Sequence, residues 1–129
     1  MTRRRLRHTE YLEHVLEAIR RIRRYTRDLD RDGFERDEQV QDAVIRNLEI
    51  IGEAARRLLE EYPDVMARYP QVPWKTAYAT RNRLAHGYFE IDWNVVWDTV
   101  QRSLPEFERQ VQQIRDELGP PPPGATLPA

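Results

Sequence analysis

One ten-residue stretch concentrates side chains able to handle a phosphodiester: Thr80-Arg81-Asn82-Arg83-Leu84-Ala85-His86-Gly87-Tyr88-Phe89. Cutting RNA through its own 2′-hydroxyl needs a group that takes the 2′ proton, a proton for the departing 5′ oxygen, and positive charge on the crowded phosphate. His86 titrates near neutrality and can serve as base or acid. Arg81 offers a planar fork of N–H donors for the non-bridging oxygens. Asn82 can hydrogen-bond the phosphate or orient the imidazole. No acidic cluster accompanies them, so this chemistry calls for no metal and no other cofactor. The same residues admit a plainer reading, since a histidine at a helix end is commonly a capping or packing group and an arginine one turn away is commonly solvated.

Helix geometry sorts these groups. A step of about 100° per residue puts Asn82 and His86 on one stripe and Arg81 and Tyr88 on a neighbouring one. Arg81 and His86 are five residues apart and diverge by roughly 140° on an ideal helix. Three arrangements bring them to one phosphate: the arginine stem reaches round, the helix distorts toward Gly87, or two copies of the helix meet across a two-fold axis. His86 falls in the last turn before a glycine, where the helix dipole favours its charged form while Arg81 and Arg83 oppose it.

The elements that position this stretch read as helices. Leu12, Val15, Leu16, Ile19, Ile22 and Leu29 keep a helical spacing, and that segment is expected to end near Arg31-Asp32-Gly33 with the glycine as cap. A second helix runs from about Asp37 to Glu61, with Val40, Val44, Leu48, Ile51, Ala55 and Leu58 as its stripe, and stops before Pro63. A short piece follows between Asp64 and Tyr69. The motif helix starts at Pro73 or Trp74. A last helix starts at Asp92 as N-cap and carries Val96, Val100, Leu104, Phe107, Val111, Ile114 and Leu118, with a kink expected at Pro105. These make an all-α, antiparallel four- to five-helix bundle over residues 1–118. Residues 119–129, GPPPPGATLPA, form a proline-rich tail that cannot build a core.

Composition sets the outer bounds. The chain has 129 residues, enough for one domain, and 33% of them are charged with only five glycines, which favours helices over sheets. It has no cysteine, so there is no disulfide framework and no thiolate chemistry. No apolar run approaches the ~20 residues of a membrane span, and the N-terminal stretch lacks the apolar core of a signal peptide. A cytoplasmic location is expected. A net charge of −1 argues against a uniformly basic nucleic-acid binder. Residues 1–36 nevertheless hold eleven arginines against seven acids, which fits either a solvated helix face or contacts to phosphate.

The string Arg81-x-x-x-x-His86-Gly87-Tyr88 resembles the Arg-x4-His-x-Tyr signature of HepT-like proteins in the HEPN superfamily. The second-helix string from Asp42 to Ala55, Pro73-Trp74 before the motif, and Ile91-Asp92 through Trp97 after it are similar as well, so the likeness spans about Tyr11 to Leu118. The resemblance implies a HEPN-like bundle that forms a homodimer, with the motifs of two protomers near a shared cleft. It implies a metal-independent endoribonuclease toxin acting on RNA, tRNA included. It also implies a minimal nucleotidyltransferase antitoxin that silences the toxin by transferring AMP to the motif tyrosine. On this chain Arg81 and His86 would be the catalytic pair, Asn82 a polar helper and Tyr88 the AMP acceptor.

Other residues fit structural roles better. Arg46 and Glu53, seven apart, suit a supporting polar stripe or a dimer contact. Asn47 suits the fixing of helix register. Trp74, Trp93 and Trp97 suit core or interface packing. His8 and His14 lack the spacing of metal ligands. The alternative to a nuclease is a non-catalytic helical module that binds a nucleotidyltransferase or presents a substrate to it.

Overall fold

The computed structural model describes residues 7–86 and 90–119, with Arg81, Asn82, Ala85 and His86 described by their backbone alone. Gly87, Tyr88, Phe89 and the tail beyond Gly119 lie outside the described residues. The described chain is helical: α1 (His8–Thr26), α2 (Arg31–Glu35), α3 (Glu38–Glu61), α4 (Pro63–Met66), α5 (Trp74–His86), α6 (Trp93–Asp98), a π-helical turn (Thr99–Ser103) and α7 (Leu104–Leu118). No strand occurs among the described residues.

Several helix starts are set by aspartates that satisfy the free N–H groups of a first turn. Asp37 accepts from the Val40 N–H at 3.0 Å, at the place where the sequence starts the second helix, and Asp92 accepts from the Asn94 N–H at 2.9 Å, as the N-cap the sequence predicts. Pro63 ends α3 by opening α4 in its first turn, the position where a missing N–H costs nothing.

The end of the first helix differs from expectation. Helix α1 stops at Thr26, whose hydroxyl donates back to the Ile22 carbonyl at 2.9 Å, and a separate short helix begins at Arg31. Gly33 lies inside α2 rather than capping α1. The Asp30 carboxylate caps α2 by accepting from the Gly33 N–H at 2.7 Å, and a Cβ on Gly33 would meet that carboxylate oxygen at 3.1 Å. Here glycine makes room for a cap instead of turning the chain. Among the described residues, the glycine with a left-handed φ is Gly119, at 87°, which ends α7.

Pro105 interrupts the last helix in an unexpected form. A proline has no N–H to offer the carbonyl four residues back, here that of Gln101. The chain absorbs the mismatch in a π-turn just upstream, with the Leu104 N–H reaching the Thr99 carbonyl. The apolar stripe continues across it, so Val96, Val100, Leu104, Phe107, Val111 and Ile114 are all buried.

The long helices pack antiparallel. Tyr11 Oη donates to the Glu61 carboxylate at 2.6 Å, tying the start of α1 to the end of α3. Gln41 Nε2 donates to the Phe34 carbonyl at 2.8 Å, tying α2 to the start of α3. Arg115 pairs with Glu13 at 3.2 Å and Arg23 pairs with Glu108, so α7 runs opposite α1. Helix α5 packs on α3, and the Trp74 ring meets Phe107 edge-on at 5.4 Å. Leu12, Val15, Leu16, Ile19, Ile22, Val44, Ala55 and Leu58 form a dry seam between α1 and α3. Phe34 closes one end of the bundle against Trp93 and Trp97, at 5.9 and 5.4 Å between ring centroids. The tryptophans thus pack as the sequence predicts.

Among the described residues no helix is long and apolar enough to cross a membrane. Phe34 is fully buried while Val95 is 54% exposed. Phe34→Ala is therefore expected to lower the unfolding free energy by about 3–5 kcal/mol, and Val95→Ala to change it by no more than about 0.5 kcal/mol. Urea denaturation of the two variants beside wild type checks both.

Candidate functional site

Helix α5 carries the motif, and its packing defines which positions face inward. Pro73 precedes the first helical residue, and Thr80 donates its hydroxyl to the Thr76 carbonyl at 2.9 Å. Trp74 and Leu84 are buried, Ala77 is half-buried, and Lys75, Thr76, Tyr78, Ala79 and Arg83 are exposed. Trp74, Ala77 and Leu84 share the stripe that docks on the bundle. The Trp74 Nε1 is buried without a hydrogen-bond partner among the described residues.

The motif positions fall on two sides of this helix. By helical register Arg81 occupies the inward stripe, one turn from Ala77 and Leu84. Asn82 and His86 occupy the outward sector shared with Lys75, Tyr78 and Ala79. The backbone is helical without a break from Trp74 to His86. Tyr88 lies outside the described residues.

Arg46 and Glu53 both lie on α3. Arg46 is exposed on α3, whereas Glu53 is held by Arg56 and Arg57, the latter at 3.2 Å, three and four residues along its own helix. The Glu53 carboxylate raises the Arg56 pKa well above its ordinary value. A seven-residue separation puts Arg46 and Glu53 two turns apart, about 10 Å along the axis, while Arg56 and Arg57 sit within one turn. Asn47 is buried and donates to the Ala43 carbonyl of its own helix at 2.8 Å. Its Oδ1 has no partner among the described residues, so a polar acceptor waits on the helix against which α5 packs.

The other histidines pack on α1. His8 meets the Tyr62 ring edge-on at 5.2 Å, and its pKa is lowered by burial, then by Arg7 and Arg68. His14 stands edge-on to Tyr11 at 6.4 Å. Burial lowers its pKa against the opposing pull of Glu10, and its Nε2 has no hydrogen-bond partner among the described residues. Among the described residues, no three histidines, aspartates or glutamates gather as a metal-ligand group.

The family model described as "Ribonuclease HepT-like" matches residues 15–114. The chain belongs to the HepT-like ribonuclease family. Within this family, "Probable ribonuclease HepT" of Thermococcus cleftensis is 36% identical over 108 residues, covering 84% of this chain and 96% of the relative. "Putative RNase MJ0127" of Methanocaldococcus jannaschii is 38% identical over 84% of this chain and 87% of its own length. A longer protein of that organism, "Gamma-glutamylcyclotransferase and putative RNase MJ0434", is 38% identical over 84% of this chain, which spans 47% of it. No solved structure gives a significant match. The HepT-like likeness read from Arg81, His86 and the second-helix string is therefore confirmed for the family, and with it the all-α bundle.

His14 generates a pH prediction. Its folded pKa lies below the ordinary histidine value, so the unfolded chain binds the proton more tightly. Stability is then full above about pH 6.5 and falls as pH drops through that value toward the lowered folded pKa. Melting temperatures taken at about pH 7.5 and 5.5 should drop less on acidification for His14→Leu than for wild type. An equal drop in both would remove His14 as a cause.

Proposed function

We propose that this HepT-like chain is a metal-independent endoribonuclease toxin of a toxin–antitoxin pair, with Arg81 and His86 as its catalytic groups. The carrying observation is that the Arg81-x4-His86 motif sits on one unbroken helix inside the stretch that matches the ribonuclease family model. In this reading the 2′-oxygen of the substrate attacks the phosphorus and the bond to the 5′ oxygen breaks, leaving a 2′,3′-cyclic phosphate. His86 exchanges the proton at one of those two oxygens, Arg81 neutralises the non-bridging oxygens, and Asn82 orients the phosphate or the imidazole.

The register of α5 supports a homodimer. Asn82 and His86 hold outward positions beside Tyr78, which is 37% exposed, while Arg81 holds an inward one. A second copy facing the outward sector would bring two histidine positions into a shared cleft. RNA, tRNA included, is the substrate class, and a minimal nucleotidyltransferase is the partner. Transfer of AMP from ATP to the Tyr88 hydroxyl, with pyrophosphate leaving, would place a phosphate and a base at the mouth of the cleft and compete for Arg81. The cytoplasm is the compartment this reading implies.

Incubated with total RNA in EDTA, wild type is expected to cut, and His86→Ala and Arg81→Ala to lose at least about a hundredfold in rate with unchanged helical circular dichroism. Intact RNA with wild type, alongside tight binding to the nucleotidyltransferase, would instead establish a non-catalytic module. With ATP, Mg²⁺ and the partner, wild type should gain mass in adenylate steps, and Tyr88→Phe should gain none. An undiminished gain in that variant would move the acceptor elsewhere.

A further inference from the structure

Away from α5, the bundle carries a groove of about 570 Å³ between the C-terminal half of α1 and the π-turn leading into α7. One wall is basic: Arg20, Arg23 and Arg24 line it from α1, and Arg27 from its C-cap. Their spacing of three, four and seven residues keeps them on one helix face, extending about 10 Å along the axis. Arg23 is paired with Glu108 across the groove. Arg20, Arg24 and Arg27 are exposed and have no carboxylate partner among the described residues, so the groove holds an excess of positive charge despite that glutamate.

The rest of the groove suits a strand with bases. Leu29, Val100 and Pro105 supply apolar floor, and Gln101 supplies an amide at the rim. Guanidinium groups in a row offer what the backbone of an unpaired strand needs, forks for successive phosphates, and the apolar lining can take the face of a base. The π-turn shapes this site, because the proline that forces it also lines the groove.

We propose that this groove binds the phosphodiester backbone of single-stranded RNA, through Arg20, Arg24 and Arg27, at a place separate from the Arg81/His86 helix. No lining residue belongs to α5. The inference rests on the ribonuclease reading and deepens it: a chain of net charge −1 holds its substrate by a local basic track rather than by its overall field.

The test uses the full chain and a fluorescein-labelled 2′-O-methyl oligoribonucleotide of mixed sequence, which cannot be cut through a 2′-hydroxyl. Anisotropy is measured between about 50 and 200 mM salt. The triple variant Arg20→Gln/Arg24→Gln/Arg27→Gln should bind at least about tenfold more weakly, with a log–log salt slope shallower by about 2. The corresponding triple lysine variant should recover most of the slope, and both variants should keep the wild-type circular dichroism. Wild-type binding that survives in the glutamine variant with unchanged slope overturns the groove, as does a variant that loses only its protein partner, while ribonuclease activity would stand. A wild type with no affinity for the oligonucleotide and no cleavage of RNA overturns the ribonuclease reading and the groove together.

Discussion

Helix α3 is packed from two directions, and the placement of everything chemical follows from that. Its α1 side is a dry seam of Val44, Leu48, Ile51, Ala55 and Leu58 against the leucines, valine and isoleucines of α1. Its other side receives α5. Asn47 and Ala54 are buried along with that apolar stripe, so the buried sector is wider than a single neighbour requires. A helix docked this way cannot rotate about its axis without exposing Trp74 and Leu84. The register of α5, and with it the side on which each motif position falls, is thereby fixed by apolar packing.

That fixed register constrains the chemistry. Arg81 sits on the docking stripe and His86 on the outward sector, separated by the roughly 140° that five helical residues impose. A site built from both needs the long guanidinium stem, a second subunit, or both together. The basic groove on α1 answers a different need, since a polyanionic substrate must be held over several nucleotides and α5 alone offers few charges. The groove uses helix positions that the core does not claim.

Much of this was legible in the sequence because it is local. Asp37 and Asp92 start helices by capping free N–H groups, Pro63 and Pro73 mark boundaries, and the apolar spacing gives the stripes of α1, α3 and α7. The family could be read from the resemblance of the motif and second-helix strings. What was not legible depends on neighbours. Gly33 looks like a C-cap until Asp30 is seen accepting its N–H from within a separate short helix. Pro105 announces an interruption but not that a π-turn upstream absorbs it. Glu53 pairs with Arg56 and Arg57, which lie within one turn of it. The arginines of α1 are visible as composition, but the groove they line exists only once α7 lies beside α1.

In the proposed reaction a guanidinium and an imidazole promote attack by the RNA's own 2′-oxygen. The chemistry of the new ends reports on this directly. Mass spectrometry of products from a defined oligoribonucleotide should show 2′,3′-cyclic phosphate and 5′-hydroxyl termini, and a single 2′-deoxy substitution at the cut site should abolish cleavage there. Products ending in 3′-hydroxyl and 5′-phosphate, or unimpaired cutting at the deoxy position, would contradict it.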